Sequence, residues 1–328
     1  MAVNPKLYPM PHLSGRPGVP PRLMMSLFTE IANVPVIDSH VHVFPPKIFA
    51  AVKAWFETFA WGFHGNGTLD ERIEYQFECG ASGLVLMSYA HKPGMAGQLN
   101  EYTAGLVRRF PHTVGLAAVH PHDPDFRDIL KRAFQDLGLC GLKLHCHVLK
   151  LAPDDPSLFP VYEQLVRLDG VLNIHAGREP ASDAYGLDVR TITGADRVIN
   201  VLDRFPELKI IIPHFGWDED ERFFELLDIY PNLYLDTTML LADFFKASVA
   251  PDKIEQYADR ILYGTDYPHI PYPLETELKA ICNLGLKAGS LCGILFENAM
   301  KLYPIKPLQG ITVEDAVEPR GDLGRPME

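Results

Sequence analysis

The sequence predicts an α/β protein in which eight short parallel strands close into a (β/α)8 TIM barrel. Two observations lead there. Short apolar runs alternate with helical stretches along most of the chain, and strands linked by a helix return in the same direction. Histidines and one aspartate recur at the carboxyl ends of several of those runs, the end at which such barrels build their active sites.

The 328 residues, 47% hydrophobic and 22% charged, are ample for one large domain. A net charge of -12 argues against nucleic acid or an anionic membrane as partner, since both need clustered Lys and Arg. The cysteines, Cys79, Cys140, Cys146, Cys282 and Cys292, form no Cys-x-x-Cys pair, as expected of reduced thiols in a cytoplasmic protein. No run of eighteen or more apolar residues and no export signal stands out, so a soluble chain is expected.

In chain order, residues 1–33 read as an extended arm, because Pro5, Pro9, Pro11, Pro17, Pro20 and Pro21 exclude a long helix before Arg22. Such an arm can pack on its own barrel or on a second copy in a homo-oligomer. Val36 to Val43 is the first strand, stopped by Phe44-Pro45-Pro46. Lys47 to Phe59 is an inserted helix rich in aromatic residues, either a lid over a pocket or an ordinary core helix. Helix and strand then alternate. Leu69–Cys79, Asn100–Phe110, Phe126–Leu137, Leu158–Leu168, Ala195–Phe205 and Glu219–Ile229 read as helices, with a shorter turn at Lys253–Tyr257. Between them lie the strands Gly83–Ser88, Val114–His120, Cys140–His145, Val171–His175, Lys209–His214, Leu233–Asp236 and Ile261–Asp266. Pro273–Leu284 and Leu291–Leu302 close the barrel domain at about residue 304, and 305–328 form a tail.

Side chains on a strand alternate faces, so His40 and His42 share one side. Two imidazoles there are poor core filling, because each neutral ring carries a donor and an acceptor to satisfy; a metal ion satisfies them together. His145 and His147 fall at the end of strand four, His175 at strand five, His214 at strand six and Asp266 at strand eight, a convergence that favours a metal site.

Asp38-Ser39-His40-Val41-His42, Gly141-Leu142-Lys143-Leu144-His145, Asn173-Ile174-His175-Ala176-Gly177, Pro213-His214-Phe215-Gly216 and Tyr263-Gly264-Thr265-Asp266-Tyr267-Pro268 resemble the signatures of the amidohydrolase superfamily. The nearest pattern is its amidohydrolase-related branch, which includes aminocarboxymuconate semialdehyde decarboxylase and the resorcylate-type decarboxylases. The resemblance spans roughly residues 34 to 300. It implies a distorted (β/α)8 barrel with one divalent metal bound by His40, His42, His175 and Asp266, and His214 beside the metal-bound water or the substrate.

Three imidazoles and a carboxylate suit Zn²⁺ first, with Mn²⁺ or Fe²⁺ as alternatives. A metal-bound hydroxide could then attack an amide, ester or lactone, with Asp266 moving the proton and His214 orienting water or substrate. Lys143 occupies the place of a metal-bridging carboxylated lysine in other amidohydrolases but lies deeper than its strand's end, so one metal is expected. His145 and His91 are candidate pocket contacts, or simply hydrogen-bonded histidines, and His120 is a weaker one. Arg178 could fork a substrate carboxylate or pair with Glu179 or Asp183. Trp217 could wall an apolar substrate or fill the core. Metal-dependent hydrolysis of a small, carboxylated substrate is the first expectation. Non-oxidative decarboxylation is the alternative, and a non-catalytic metal-binding protein the third.

Overall fold

The structure is a computed structural model that describes residues 34–65, 67–178, 180–242, 244 and 249–309; the expected arm over 1–33 and the tail beyond 309 lie outside them. Eight parallel strands follow one another around a barrel in sequence order. They are β1 (Ile37–His42), β2 (Gly83–Met87), β3 (Thr113–Ala117), β4 (Gly141–His145), β5 (Val171–His175), β6 (Lys209–Ile212), β7 (Leu233–Asp236) and β8 (Ile261–Leu262). Closure between β8 and β1 runs through irregular chain: Ser39 N donates to Tyr263 O (2.9 Å) and His42 N to Tyr267 O (2.8 Å), while Asp266 N donates to His40 O (3.0 Å). The (β/α)8 expectation holds.

The helix after β1, α1 (Pro46–Phe59), contains no fully buried residue, so it lies over the barrel mouth rather than inside the core. The next, α2 (Leu69–Glu78), starts in a capping box, with Thr68 and Glu71 each satisfying the other's backbone N–H. Outer helices follow as α3 (Ala96–Arg109) and α4 (Phe126–Gln135). Behind β4 comes a one-turn helix, α5 (Cys146–Leu149), then α6 (Phe159–Arg167). In α7 (Ala195–Arg204) the buried positions are Ala195, Val198, Val201 and Leu202, the one-sided stripe that seats a helix on a sheet. The circuit ends with α8 (Asp220–Leu227), α9 (Pro251–Gln256), α10 (Glu275–Cys282), α11 (Ala288–Cys292) and α12 (Asn298–Leu302). A π-turn over Gly293–Glu297 joins the last two.

One apolar layer fills the space between strands and outer helices. A second packs Ile37 and Val171, the first residues of β1 and β5, with Leu262 of β8 and with Tyr303 and Ile305 beyond α12. No helix among the described residues is long and apolar enough to cross a membrane.

Strand three ends at Ala117, short of the expected His120, and strands six and eight also end early, whereas strand four ends at His145 as expected. Strand six ends at Ile212, because His214, Phe215, Gly216 and Trp217 all take positive φ. That conformation costs an L-residue roughly 1–2 kcal/mol. Gly216 escapes the penalty and is also required sterically, since any Cβ there would collide with the Phe223 ring. Strand eight is two residues long, and Asp266 sits beyond it at φ 67°. On strand four the chain turns into α5 at Cys146, so His147 reaches the barrel mouth from a helix and not by strand alternation.

Glu277 is buried on α10 with its Oε1 accepting from Tyr272 Oη at 2.5 Å, and burial pushes its carboxyl up to about 8. A raised folded-state value favours the protonated form, so this group's contribution is complete below about pH 4.5 and is lost as pH rises through about 8. Glu277→Gln stays neutral. Its melting temperature should match wild type near pH 4.5 and exceed it by several degrees at pH 8.5 in thermal denaturation; equal melting curves at both pH values would refute this.

Candidate metal centre

His40, His42 and Asp266 converge at the carboxyl end of the barrel, all buried. His40 Nε2 lies 3.2 Å from His42 Nε2 and 3.4 Å from Asp266 Oδ1, and His42 Nε2 lies 3.0 Å from Asp266 Oδ1. Ligands about 2.1 Å from a common ion stand roughly 3.0–3.4 Å apart in octahedral or tetrahedral arrangements, so the triangle has the dimensions of a metal's coordination face. The donor set and its spacing fit a divalent ion.

Asp236, the last residue of β7, orients this face. Its Oδ2 accepts from His40 Nδ1 at 2.7 Å, which fixes the tautomer and turns the Nε2 lone pair inward. Its Oδ1 accepts from His214 N (2.9 Å), Thr238 N (3.2 Å) and the Thr238 hydroxyl. Burial alone would raise this carboxyl, but His40, His214 and Thr238 hold it below the usual carboxylate range. Burial likewise opposes the charge on Asp266, and His42 and His40 outweigh it to hold the group well below that range. His40 is kept neutral by burial and by the nearby Lys143. Lys143 Nζ lies 3.1 Å from His40 Nε2 and donates to Asn173 Oδ1 at 2.7 Å; burial brings this amine down to about 8.

Asp38 holds the β8 turn in place. It accepts from Thr265 N (3.1 Å) and the Thr265 hydroxyl (2.5 Å), which fixes the segment carrying Asp266, and burial raises its carboxyl to about 7.

Three of the four expected ligands thus meet directly. His175 stands across a small inner chamber of about 20 Å³ whose wall includes His42, His175, His214 and Asp266. It is paired in register with His145, stacks on that ring at 4.2 Å, and forms a second donor group with His145 and His147. His214 meets the chamber through its ring: Nδ1 lies 3.0 Å from Thr238 O, so Nδ1–H donates and Nε2 is left to accept. Trp217 lines the same chamber, 6.0 Å from His214.

The other expected contacts divide. His145 lines both the chamber and a larger outer cavity, and His91 lines the outer cavity alone. His120 lines neither. Arg178 is 36% exposed and donates to Glu219 Oε1 at 2.9 Å; Glu219 also accepts from Ala195 N at 3.0 Å, so the pair ties the loop after β5 to the start of α7. Arg178 lines neither cavity.

Two site residues escaped the sequence reading. Asp236 carried the signal of a lone carboxylate closing an apolar strand, but its target, a histidine on another strand, is invisible in one dimension. His269 stacks on His42 at 4.4 Å and its buried Nε2 lacks a partner among the described residues; only its nearness to Asp266 in sequence hinted at it.

Residues 37–305 match the amidohydrolase family profile. A 2-amino-3-carboxymuconate-6-semialdehyde decarboxylase of Dictyostelium discoideum is 29% identical over 150 residues, 40% of this chain and 42% of that protein, so the match spans under half of either. The 5-carboxyvanillate decarboxylase of Sphingomonas paucimobilis superposes with a TM-score of 0.61 at 19% identity, covering 83% of this chain and 100% of its own. A manganese-containing 5-carboxyvanillate decarboxylase of Novosphingobium aromaticivorans gives 0.59 at 16% identity over 83% and 96%. A probable 2-pyrone-4,6-dicarboxylic acid hydrolase of Acinetobacter baumannii gives 0.56 at 18% identity over 81% and 98%. With the profile spanning the whole barrel, the chain belongs to the amidohydrolase family.

Proposed function

We propose that this protein is a metal-dependent, non-oxidative decarboxylase of a small hydroxy- or amino-substituted carboxylic acid. The observation that carries this reading over hydrolysis is that decarboxylases recur among its relatives, and that the chamber beside His42 and Asp266 is walled by the aromatic rings of Phe56, Trp61, Tyr89 and Trp217. Losing CO₂ leaves an electron pair on carbon. A flat, conjugated substrate can delocalise it, and the rings of Phe56, Tyr89 and Tyr185, which the chamber shares with the larger cavity outside it, suit the body of such a molecule.

His40, His42 and Asp266 would hold the metal, with His175 as the fourth candidate; zinc and manganese both suit these donors. When bound, a divalent ion supplies a Lewis acid that draws charge from substrate oxygens. Asp236 keeps Nδ1 of His40 protonated so that Nε2 faces inward. His214 presents Nε2 to accept a hydrogen bond from the substrate. Asp266 would take the proton of the substrate's hydroxyl on its second carboxylate oxygen and return it to carbon as the C–C bond to CO₂ breaks. The aromatic walls keep bulk water from that exchange.

Hydrolysis of a lactone or related bond is the second reading. It is supported by the chamber's size, about 20 Å³, which is room for one water. A panel of hydroxybenzoates, aminobenzoates and carboxylated lactones, followed in parallel for CO₂ and for acid release, separates the two. CO₂ from the benzoates without acid from the lactones is expected; the reverse would replace decarboxylation with hydrolysis.

A further inference from the structure

The outer cavity, about 440 Å³, lies in the size range of sites for drug-sized ligands, about 300–1,000 Å³. It adjoins the inner chamber, and Phe56, Tyr89, His145 and Tyr185 line both, forming a neck between them. The inner chamber has room for a reacting group and little else. The body of any ligand that reaches it therefore lies outside the neck, in a space much larger than a one-ring acid fills.

The chemistry of that space is uneven. The α1 side offers Ile48, Val52 and Trp55, with the Trp55 ring 5.0 Å from Tyr185. This is a wall for a flat apolar body. At the rim stand Lys47, in the first turn of α1, and Lys150, at φ 58° just past α5. Both are exposed, and neither is ion-paired among the described residues. No Asp or Glu lines the cavity, in a chain with 42 acidic against 30 basic residues. An acid-free pocket edged by two lysines in such a chain is a local reversal of charge that favours an anion. His147 adds a polar contact: its Nε2–H donates to Gly177 O at 2.9 Å, leaving a buried Nδ1 with no partner among the described residues.

We propose that the outer cavity is a specificity site for an aryl acid with more than one ring, whose apolar body rests between α1 and Tyr185. A second anionic group on it would meet Lys47 and Lys150, and a hydroxyl or amine would donate to His147 Nδ1. The inference rests on the decarboxylase reading only for the end of the molecule that passes the neck.

Two dyes that share one skeleton test it. 1-Anilinonaphthalene-8-sulfonate carries an anion and N-phenyl-1-naphthylamine does not, and both fluoresce in apolar sites. The full chain should bind one molecule of each. Lys47→Met/Lys150→Met, two exposed changes, should weaken the sulfonate at least tenfold and leave the amine unchanged, while Val52→Trp, which fills the cavity, should remove both. Equal loss of both dyes in the lysine variant, no loss of either, or retention of both by a folded Val52→Trp would overturn the proposal. Turnover is read separately. If benzoates release CO₂ but dye binding ignores the lysines, this inference falls and the reaction stands; if no acid reacts while the dye pattern holds, the reverse applies.

Discussion

Asp266→Asn should lower turnover by on the order of 10³-fold, the usual worth of a positioned proton carrier, while the fold survives. The amide matches the carboxylate in shape, so Asp266 N can still donate to His40 O (3.0 Å) and the β8 turn stays tied to β1. Two capacities disappear: an anionic oxygen 3.0 Å from His42 Nε2 and a site that can pick up and release a proton. Steady-state CO₂ release, read beside metal content and the melting temperature, separates them. Lost activity at restored metal loading identifies the proton role. Near-normal turnover would remove Asp266 from the chemistry.

Asp236→Asn should weaken metal binding about 10–100-fold, the usual effect of losing a carboxylate behind a ligating histidine, and excess metal should restore most of kcat. Both oxygens of Asp236 are committed as acceptors, Oδ2 to His40 and Oδ1 to the backbone N–H groups of His214 and Thr238. An amide has one oxygen. Whichever way Asn turns, an N–H faces a donor, and either His40 or the left-handed turn at His214 loses its support. Chelator competition measures the affinity directly. A variant whose metal affinity equals wild type would show that Asp236 does not position His40.

These two aspartates also mark what the sequence could and could not convey. Asp266 was legible because it closes an apolar run at the same barrel end as the histidine pair, and strand ends in a (β/α)8 barrel converge in space. Asp236 ends a run just as clearly, yet nothing local says that its partner is His40. The strand count was legible because β-branched runs and amphipathic stretches differ in period. Strand six was read two residues too long because Pro213-His214 continues an apolar run, whereas His214 takes positive φ with its N–H held by Asp236 and Thr238 from β7 and its following turn. His147 was misplaced for a related reason: alternation assumes a continuing strand, and the chain becomes helical at Cys146. The partner that Arg178 has in the structure, Glu219, was not legible because it is far away in the chain.

Hydrolysis and decarboxylation use the same donors, so the ligand pattern that made the family legible could not choose the reaction. The most direct measurement is turnover of a ring-hydroxylated benzoate, labelled with ¹³C in its carboxyl, by metal-loaded protein in D₂O enriched in ¹⁸O. Release of ¹³CO₂ with one deuterium on the vacated carbon is the expected result. A product that keeps its labelled carboxyl, or ¹⁸O entering an acid formed from a carboxylated lactone under the same conditions with no labelled CO₂ from the benzoate, would contradict it.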